Sequence, residues 1–298
     1  MEIRVLRYFW RWHVRKASQI RRICCILYSP LSAASSLRWK MKWAKLFDRG
    51  TRKIVLTNEG LLLRRRAEEI LELVDKTERE ISEQDETVEG VVSIGCGDLA
   101  AVQLLPELMR SFHERYPAVT FDLYTATADH IKDRMDRGLT DVGLLLEPVN
   151  REKHNHIRLD AREQWVVVMH PDSPLAKLDR ITPKDLIGAP LILPRRLDVR
   201  SEVARWFGED FDRLNVLLTS NLPSNSSVMV HSKLAYSISI KGSIAFWDKD
   251  KITFRPMTPA LESTSVIAWR RKQPFALASE KFIEHCKSEL LDKNQPTA

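Results

Sequence analysis

The sequence has few cysteines, no long apolar run and, over one stretch, no acidic residue. It contains four cysteines, and their spacing fits neither a CxxC motif nor a zinc-binding pattern, so no disulfide framework is expected. No apolar run approaches the roughly 20 residues that span a bilayer. The apolar core of residues 21–27 is also shorter than the about 7–15 residues of a signal peptide. We therefore expect a cytoplasmic protein without a membrane partner.

The basic excess belongs to one segment. The net charge is +7, but residues 10–44 hold eight Lys or Arg and no Asp or Glu, and the rest of the chain has 39 basic against 40 acidic residues. Four of the eight tryptophans lie there, and the apolar residues follow neither a helical nor a strand period. Such a stretch is typical of an arm that binds nucleic acid or a membrane surface.

A small hairpin and a long helix are predicted after this segment. The run Lys-Leu-Phe-Asp-Arg-Gly-Thr-Arg-Lys-Ile-Val-Leu at 45–56 predicts two short strands joined by a turn, with Arg49, Arg52 and Lys53 as candidate DNA contacts. Thr57 is a suitable N-cap for a helix that runs to about residue 85. A heptad stripe on that helix predicts pairing with a second copy, although packing on its own domain stays open. The stripe consists of Leu63, Ala67, Ile70, Val74, Thr77 and Ile81.

From residue 91 the pattern alternates between strands and helices, which predicts parallel α/β units. Strands are predicted at 91–96, 119–124, 141–146, 164–170, 191–193, 215–219, 235–240, 252–255 and 265–269. Helices are predicted at 101–116, 128–137, 199–207, 226–233 and 278–290. Two such units predict two lobes with a ligand cleft at the carboxyl ends of their strands.

The order of these elements, together with several short motifs, resembles the LysR-type bacterial transcription regulators. The motifs are Lys-Leu-Phe-Asp-Arg at 45–49, Thr57-x-x-Gly60, Val-Ser-Ile-Gly at 92–95, Leu105-Pro106, Phe112 and Tyr116-Pro117. The resemblance implies a winged helix-turn-helix at 1–60, a dimerising linker helix at 61–88 and a two-lobed domain at 89–298. That domain is α/β, like the type 2 periplasmic binding proteins, with lobes at 89–161 plus 266–298 and at 162–265.

The resemblance also implies partners. These are promoter DNA, a small-molecule effector that in this family is usually a carboxylate, and further copies of the chain in a homodimer or homotetramer. No cofactor is expected. The alternatives are a solute-binding protein of the same fold without a DNA function, and an enzyme, which would need a convergent polar cluster that the sequence does not show.

Residues 10–44 interrupt the resemblance where the helix-turn-helix belongs. The codons of Trp-Lys-Met-Lys-Trp-Ala at 39–44, read one base earlier, give Glu, Asn or Asp, Glu, Met or Val, and Gly. Glu-x-Glu-x-Gly ahead of Lys-Leu-Phe is how this family's helix-turn-helix usually closes. We therefore interpret residues 10–44 as a compensated frameshift that impairs sequence-specific DNA binding, and an evolved basic arm is the rival interpretation.

No catalytic constellation or metal site is predicted. His154, His156 and His285 beside Cys286 lack a convergent third ligand and are interpreted as solvated surface residues. Asp98 has no partner for base chemistry, so a role in ligand contact or helix capping is expected. Cys96, at the end of a predicted strand, is expected in the core.

The resemblance implies which residues form the walls of the effector cleft. They are Gly97, Asp98, Leu99, Ala100, Thr125, Thr127, Pro194, Arg195 and Asn221. Many family members carry a Ser or Thr donor where Leu99 and Ala100 stand, so this chain lacks that polar anchor. Arg195 has two possible roles, as a partner for an effector carboxylate or as a surface arginine.

Overall fold

The computed structural model of the chain describes Ile3, Leu6, Arg7, Phe9 and residues 46–49, 54–82, 88–272 and 274–291. The predictions made for residues 10–44, for Arg52 and for Lys53 therefore lie outside the described residues. The chain divides into two compact units, Met1–Ser82 and Glu83–Ala298. Among the described helices, none combines the length and apolar character needed to cross a membrane.

The first unit contains the predicted hairpin and the start of the long helix. Strands β1 (Phe47–Arg49) and β2 (Ile54–Leu56) pair antiparallel, and helix α1 spans Asn58–Ser82. Thr57 caps this helix, as predicted, because its side-chain oxygen accepts a hydrogen bond of 3.1 Å from the N–H of Gly60. A Cβ on Gly60 would lie 2.2 Å from the carbonyl oxygen of Leu46. Only glycine therefore lets the hairpin pack against the helix start.

Part of the predicted heptad stripe is used within this unit. Ala67 is buried with Leu71, Leu6 and Phe9, and Leu63 packs against the same cluster. Ile70, in contrast, is 38% exposed. The first turns of the stripe therefore cover the unit's own core, which is the packing alternative that the sequence left open, and pairing of α1 with a second copy stays a prediction.

The second unit alternates strands and helices around one nine-stranded sheet. Its elements are β3 (Gly90–Cys96), α2 (Leu105–Arg115), β4 (Val119–Thr125), α3 (Ala128–Asp136), β5 (Val142–Leu146), β6 (His154–Met169), β7 (Pro190–Pro194), α4 (Leu197–Phe207), β8 (Asn215–Ser220), α5 (Pro223–His231), β9 (Tyr236–Ile240), β10 (Thr253–Pro256), β11 (Glu262–Arg270) and α6 (Leu277–Leu291). The 3₁₀ turns are Ala100–Leu104, Pro174–Lys177, Pro183–Leu186, Gly208–Arg213 and Lys241–Ile244.

The sheet passes continuously from one lobe to the other. Its strand order is β4-β3-β5-β11-β6-β9-β7-β8, and β10 pairs with β6. Parallel pairs β3–β4 and β3–β5 build the first lobe, and β7–β8 and β7–β9 build the second. The first half of β6 pairs with β11, and its second half pairs with β9 and β10. Strand β6 therefore joins the lobes, which confirms the predicted two-lobed α/β class.

Each lobe has its own hydrophobic core. Phe112 of α2 and Phe282 of α6 are fully buried in the first lobe, with ring centroids 5.1 Å apart. In the second lobe Leu186 and Leu191 are fully buried in a separate cluster. Leu99 packs against both clusters. The residue at the first strand–helix junction is thus held by both lobes.

Two predicted elements differ from the structure. The strand predicted at 164–170 is the far end of β6, which begins at His154. Buried Ile157 and Leu159 alternate with exposed charged residues, which is the pattern of a strand with one solvent-exposed face. The helix predicted at 101–116 begins as the 3₁₀ turn Ala100–Leu104, and α2 starts at Leu105. Pro106 fits the first turn of a helix but not its interior.

Candidate effector-binding cleft

A cleft opens where the parallel strands of both lobes end. It holds about 760 Å³ of empty space, part of it open to solvent. The first lobe supplies residues that follow β3 and β4, and the second lobe supplies residues that follow β7 and β8. Loops at the carboxyl ends of parallel strands are the usual ligand position in such sheets. The cleft is therefore the candidate binding site.

The cleft contains most of the residues that the sequence assigned to an effector site. Seven of them line it, namely Gly97, Asp98, Leu99, Thr127, Pro194, Arg195 and Asn221. Ala100 and Thr125 are not among the lining residues. The N–H of Ala100 donates to the carboxylate of Glu163, and Thr125 is exposed at the last position of β4. The structure thus brings together residues from four separate loops.

The Leu99–Ala100 junction is fixed by a buried carboxylate that the sequence analysis missed. Glu163 of β6 is 0% exposed. One oxygen, Oε2, accepts from the N–H of Ala100 at 3.0 Å, and Oε1 accepts from the N–H of Ala101 at 2.9 Å. Oε1 also accepts from the Ser265 hydroxyl of β11 at 2.9 Å. Glu163 therefore ties the cleft loop to both strands that cross between the lobes.

Close packing against a turn of the second lobe also holds this loop. A Cβ placed on Gly242 would lie 2.2 Å from the backbone nitrogen of Ala100. Gly242 belongs to the 3₁₀ turn Lys241–Ile244 of the second lobe, and only a residue without a side chain fits at this distance. The loop that carries Asp98 and Leu99 is therefore held by hydrogen bonds to the Glu163 carboxylate and by close contact with the turn that contains Gly242.

Asp98 lies at the first-lobe wall of the cleft, directly after β3. Burial raises the pKa of its carboxyl, and a hydrogen bond from the backbone N–H of Ser224 lowers the pKa by a smaller amount. Ser224 is in the first turn of α5, in the second lobe. Asp98 therefore faces a helix N-terminus across the cleft, where the helix dipole favours negative charge.

The second-lobe wall carries two arginines, and they differ in their surroundings. The side chain of Arg195 is exposed, while its backbone N–H donates to the carbonyl of Ser220 at 2.8 Å. Arg196 is only 11% exposed, and its Nε lies 3.3 Å from Oδ1 of Asp129 in the first lobe. Arg195, but not Arg196, was predicted from the sequence, because position in a loop does not reveal which side chain turns inward.

The rest of the lining is mostly apolar, and several of its hydroxyls are already bonded. Trp165 is buried on the floor of the cleft and donates from Nε1 to the Ser263 hydroxyl at 2.9 Å. Ser226 donates to the carbonyl of Pro223 at 2.8 Å, and Thr127 shares a hydrogen bond of 2.9 Å with His130. These contacts leave apolar surface for the body of a ligand.

The histidines and cysteines singled out in the sequence have structural surroundings. His154 is 3% exposed beside Asp136, and burial lowers the pKa of its imidazole, so its interpretation as a solvated residue is wrong. His285 shares a hydrogen bond of 2.8 Å with Ser111. Cys96 is buried in the core, as predicted, and so is Cys286. Within the part of the chain that the structure describes, no three His, Cys, Asp or Glu residues could hold a metal ion.

These features define a class of protein: a two-lobed α/β ligand-binding domain that follows a hairpin and a long helix. The family model for the LysR substrate binding domain matches residues 85–291. The chain therefore belongs to the LysR family, and the resemblance drawn from the sequence is confirmed.

Relatives and solved structures agree with this membership. The Hca operon transcriptional activator HcaR of Escherichia coli K12 is 26% identical over 281 residues, which cover 91% of this chain and 92% of HcaR. Full-length CbnR complexed with its target DNA is 18% identical, with a TM-score of 0.68, covering 97% of this chain and 99% of that one. The effector binding domain of QuiR in complex with shikimate is 18% identical, with a TM-score of 0.59, covering 68% of this chain and 98% of that one.

Proposed function

We propose that this chain is a LysR-type transcriptional regulator that senses a small molecule in the cleft between its lobes. The observation that carries the proposal is the cleft, which joins a mostly apolar lining to polar residues at the ends of four strands, with charged residues after β3 and β7. CbnR was solved with its target DNA and QuiR with shikimate, and both share this fold. Family membership favours a regulator over the alternative of a solute-binding protein without a DNA function.

A cleft-filling variant tests the sensing function. Ala128 lines the cleft, so Ala128→Trp should occupy the space that a ligand needs. We expect small carboxylates, shikimate among them, to raise the melting temperature of the unmodified chain but not of Ala128→Trp. Ala245→Trp, at an exposed position outside the lining, serves as the control and should keep the response. Equal responses from both variants would place ligand binding elsewhere.

We further propose that sequence-specific DNA binding is impaired in this chain. The support comes from residues 10–44, whose apolar residues show no period that would seat a recognition helix and whose eight cations have no acidic neighbour. Arg49 at the end of β1, with Arg52 and Lys53, would then contribute contacts to the phosphate backbone. The coding DNA from codon 9 to codon 46 tests the frameshift interpretation. Stop codons in the frame one base earlier would refute it.

Self-association through α1 is part of the same proposal. Leu62, Ile70 and Leu73 are large apolar side chains on this helix that stay exposed in the described part of the first unit. A second copy would cover them, as expected for a homodimer or homotetramer. Replacing Ile70 and Leu73 by Glu should shift the sedimentation coefficient toward the monomer. A variant with Leu178→Glu, which is exposed in the second unit, should sediment like the unmodified chain.

A further inference from the structure

The cleft has a charge of each sign on opposite walls. Asp98 belongs to the first lobe and Arg195 to the second, and both line the cleft. Neither forms an ion pair with another described residue, whereas Arg196 is paired with Asp129. Besides Arg196, which pairs with Asp129, the described lining of the cleft therefore offers a ligand one negative and one positive side chain.

The negative side chain is partly desolvated. Asp98 receives a hydrogen bond from the backbone N–H of Ser224, and no cation is paired with it among the described residues. The Ser224 N–H supplies a hydrogen bond but no countercharge, so part of the cost of burying the carboxylate remains. An ammonium group of a ligand at this wall would supply both a positive charge and hydrogen-bond donors.

The positive side chain, that of Arg195, extends from backbone that is held by hydrogen bonds and strand pairing. The N–H of Arg195 bonds to the carbonyl of Ser220, and Pro194 pairs with Ser220 at the ends of β7 and β8. Arg195 is an exposed residue, so its side chain can reorient toward a ligand. A planar guanidinium donates two parallel hydrogen bonds to a carboxylate, which makes it a suitable partner for an anionic end.

The cleft that carries these two charges is otherwise largely apolar. Its lining includes Leu99, Trp165 and Ile240, together with Leu144 and Ile192. A simple carboxylate would satisfy Arg195 but would leave Asp98 without a countercharge, and a second carboxylate near Asp98 would be repelled. A simple amine would supply a countercharge to Asp98 but would leave Arg195 without an anionic partner.

We propose that the effector is a zwitterion with an apolar body, of the amino-acid class, whose ammonium group faces Asp98 and whose carboxylate faces Arg195. This inference rests on the proposed sensing function and narrows its ligand. Because each end makes a charge-assisted hydrogen bond, removing either charge from the ligand should weaken binding by roughly 10- to 100-fold.

Matched ligands test the inference by calorimetry on the full chain. One series is L-phenylalanine, 3-phenylpropanoate and 2-phenylethylamine, and a second is L-leucine, 4-methylpentanoate and isopentylamine. Within at least one series we expect the amino acid to bind at least 10-fold more tightly than either singly charged analogue. Asp98→Asn should abolish the advantage over the carboxylate, and Arg195→Gln should abolish the advantage over the amine. Arg213→Gln, an exposed arginine paired with Asp210 outside the cleft, should change neither.

Three results would overturn the inference, and the first two differ in what they say about sensing. If 3-phenylpropanoate and 4-methylpentanoate each bind as tightly as the corresponding amino acid, the cleft senses small molecules but does not select a zwitterion. If neither series binds at all, the zwitterion is excluded, and the Ala128→Trp comparison decides separately whether the cleft senses any small molecule. Unchanged selectivity in Asp98→Asn would also contradict the assignment of the ammonium site.

Discussion

The substitution Glu163→Gln probes the junction that holds the cleft loop. The carboxylate of Glu163 is completely buried and accepts three hydrogen bonds, from the N–H groups of Ala100 and Ala101 and from the Ser265 hydroxyl. Glutamine has nearly the same shape but only one acceptor oxygen. If that oxygen takes the position of Oε1, the amide NH₂ faces the N–H of Ala100, and one buried donor loses its acceptor.

The expected cost follows from that lost acceptor. A buried donor left without a partner costs about 1–3 kcal/mol, and hydrogen bonds to charged groups are at the upper end. We expect Glu163→Gln to lower the free energy of unfolding of the second unit by about 2–3 kcal/mol. For a domain of this size the melting temperature should fall by about 4–10 °C. Hydrogen exchange at the amides of Ala100 and Ala101 should become faster by the factor that corresponds to this loss of unfolding free energy.

Urea unfolding followed by circular dichroism provides the assay, with Glu262→Gln as the matched control. Glu262 lies on β11 and forms an exposed ion pair of 3.2 Å with Arg162. Exposed pairs contribute only about 0–1 kcal/mol, so the control should unfold close to the unmodified chain. If Glu163→Gln were as stable as Glu262→Gln, the buried carboxylate would not be fixing the cleft loop.

Three further predictions follow from packing and burial. Gly242→Ala should destabilise the second unit by about 1–3 kcal/mol because its Cβ would overlap the backbone of Ala100, whereas Gly97→Ala meets only ordinary contact distances and should change the melting temperature little. Burial raises the pKa of the Cys286 thiol to about 12, so iodoacetamide should leave Cys286 unmodified at pH 8 until urea unfolds the chain, and rapid labelling of the folded chain would contradict its burial. A fragment of residues 88–298 should be soluble, folded and largely monomeric because it contains both lobes and excludes α1, and an insoluble fragment beside a soluble full chain would count against this boundary.

The class of fold could be predicted from the sequence because strand and helix periods alternate clearly after residue 90. The hairpin, the cap at Thr57 and the strand–helix junctions depend on local residue types, which are readable without tertiary contacts. The beginning of β6 was missed because its first half has a wet face and lacks a continuous apolar run.

The parts of the site that could not be predicted depend on contacts between distant residues. Glu163 is 63 residues from Ala100 in the chain, and Arg196 meets Asp129 across the cleft. Position 242 needs a glycine because a Cβ there would overlap the backbone of Ala100. The residues next to Gly242 in the sequence do not indicate that contact. Glu163 stands between Arg162 and Gln164 in the sequence, so no local signal marks its carboxylate as buried.

Binding of DNA as a function of salt tests the central claim, a LysR-type regulator whose operator recognition is impaired. The comparison is between two proteins. One is the chain as written, that is, with its present sequence, and the other is a version in which residues 10–44 are replaced by the residues that the reading frame one base earlier encodes. Fluorescence anisotropy would measure both against a candidate promoter and against scrambled DNA of equal length and composition.

For the chain as written, we expect Kd values of about 10⁻⁴–10⁻⁶ M at physiological salt, equal for both duplexes and rising steeply with salt, because phosphate contacts alone give this affinity. The re-encoded version should bind the promoter selectively at about 10⁻⁸ M or tighter, although its net charge is lower. Nanomolar, sequence-selective binding by the chain as written would contradict the account, since it would show that residues 10–44 still read DNA.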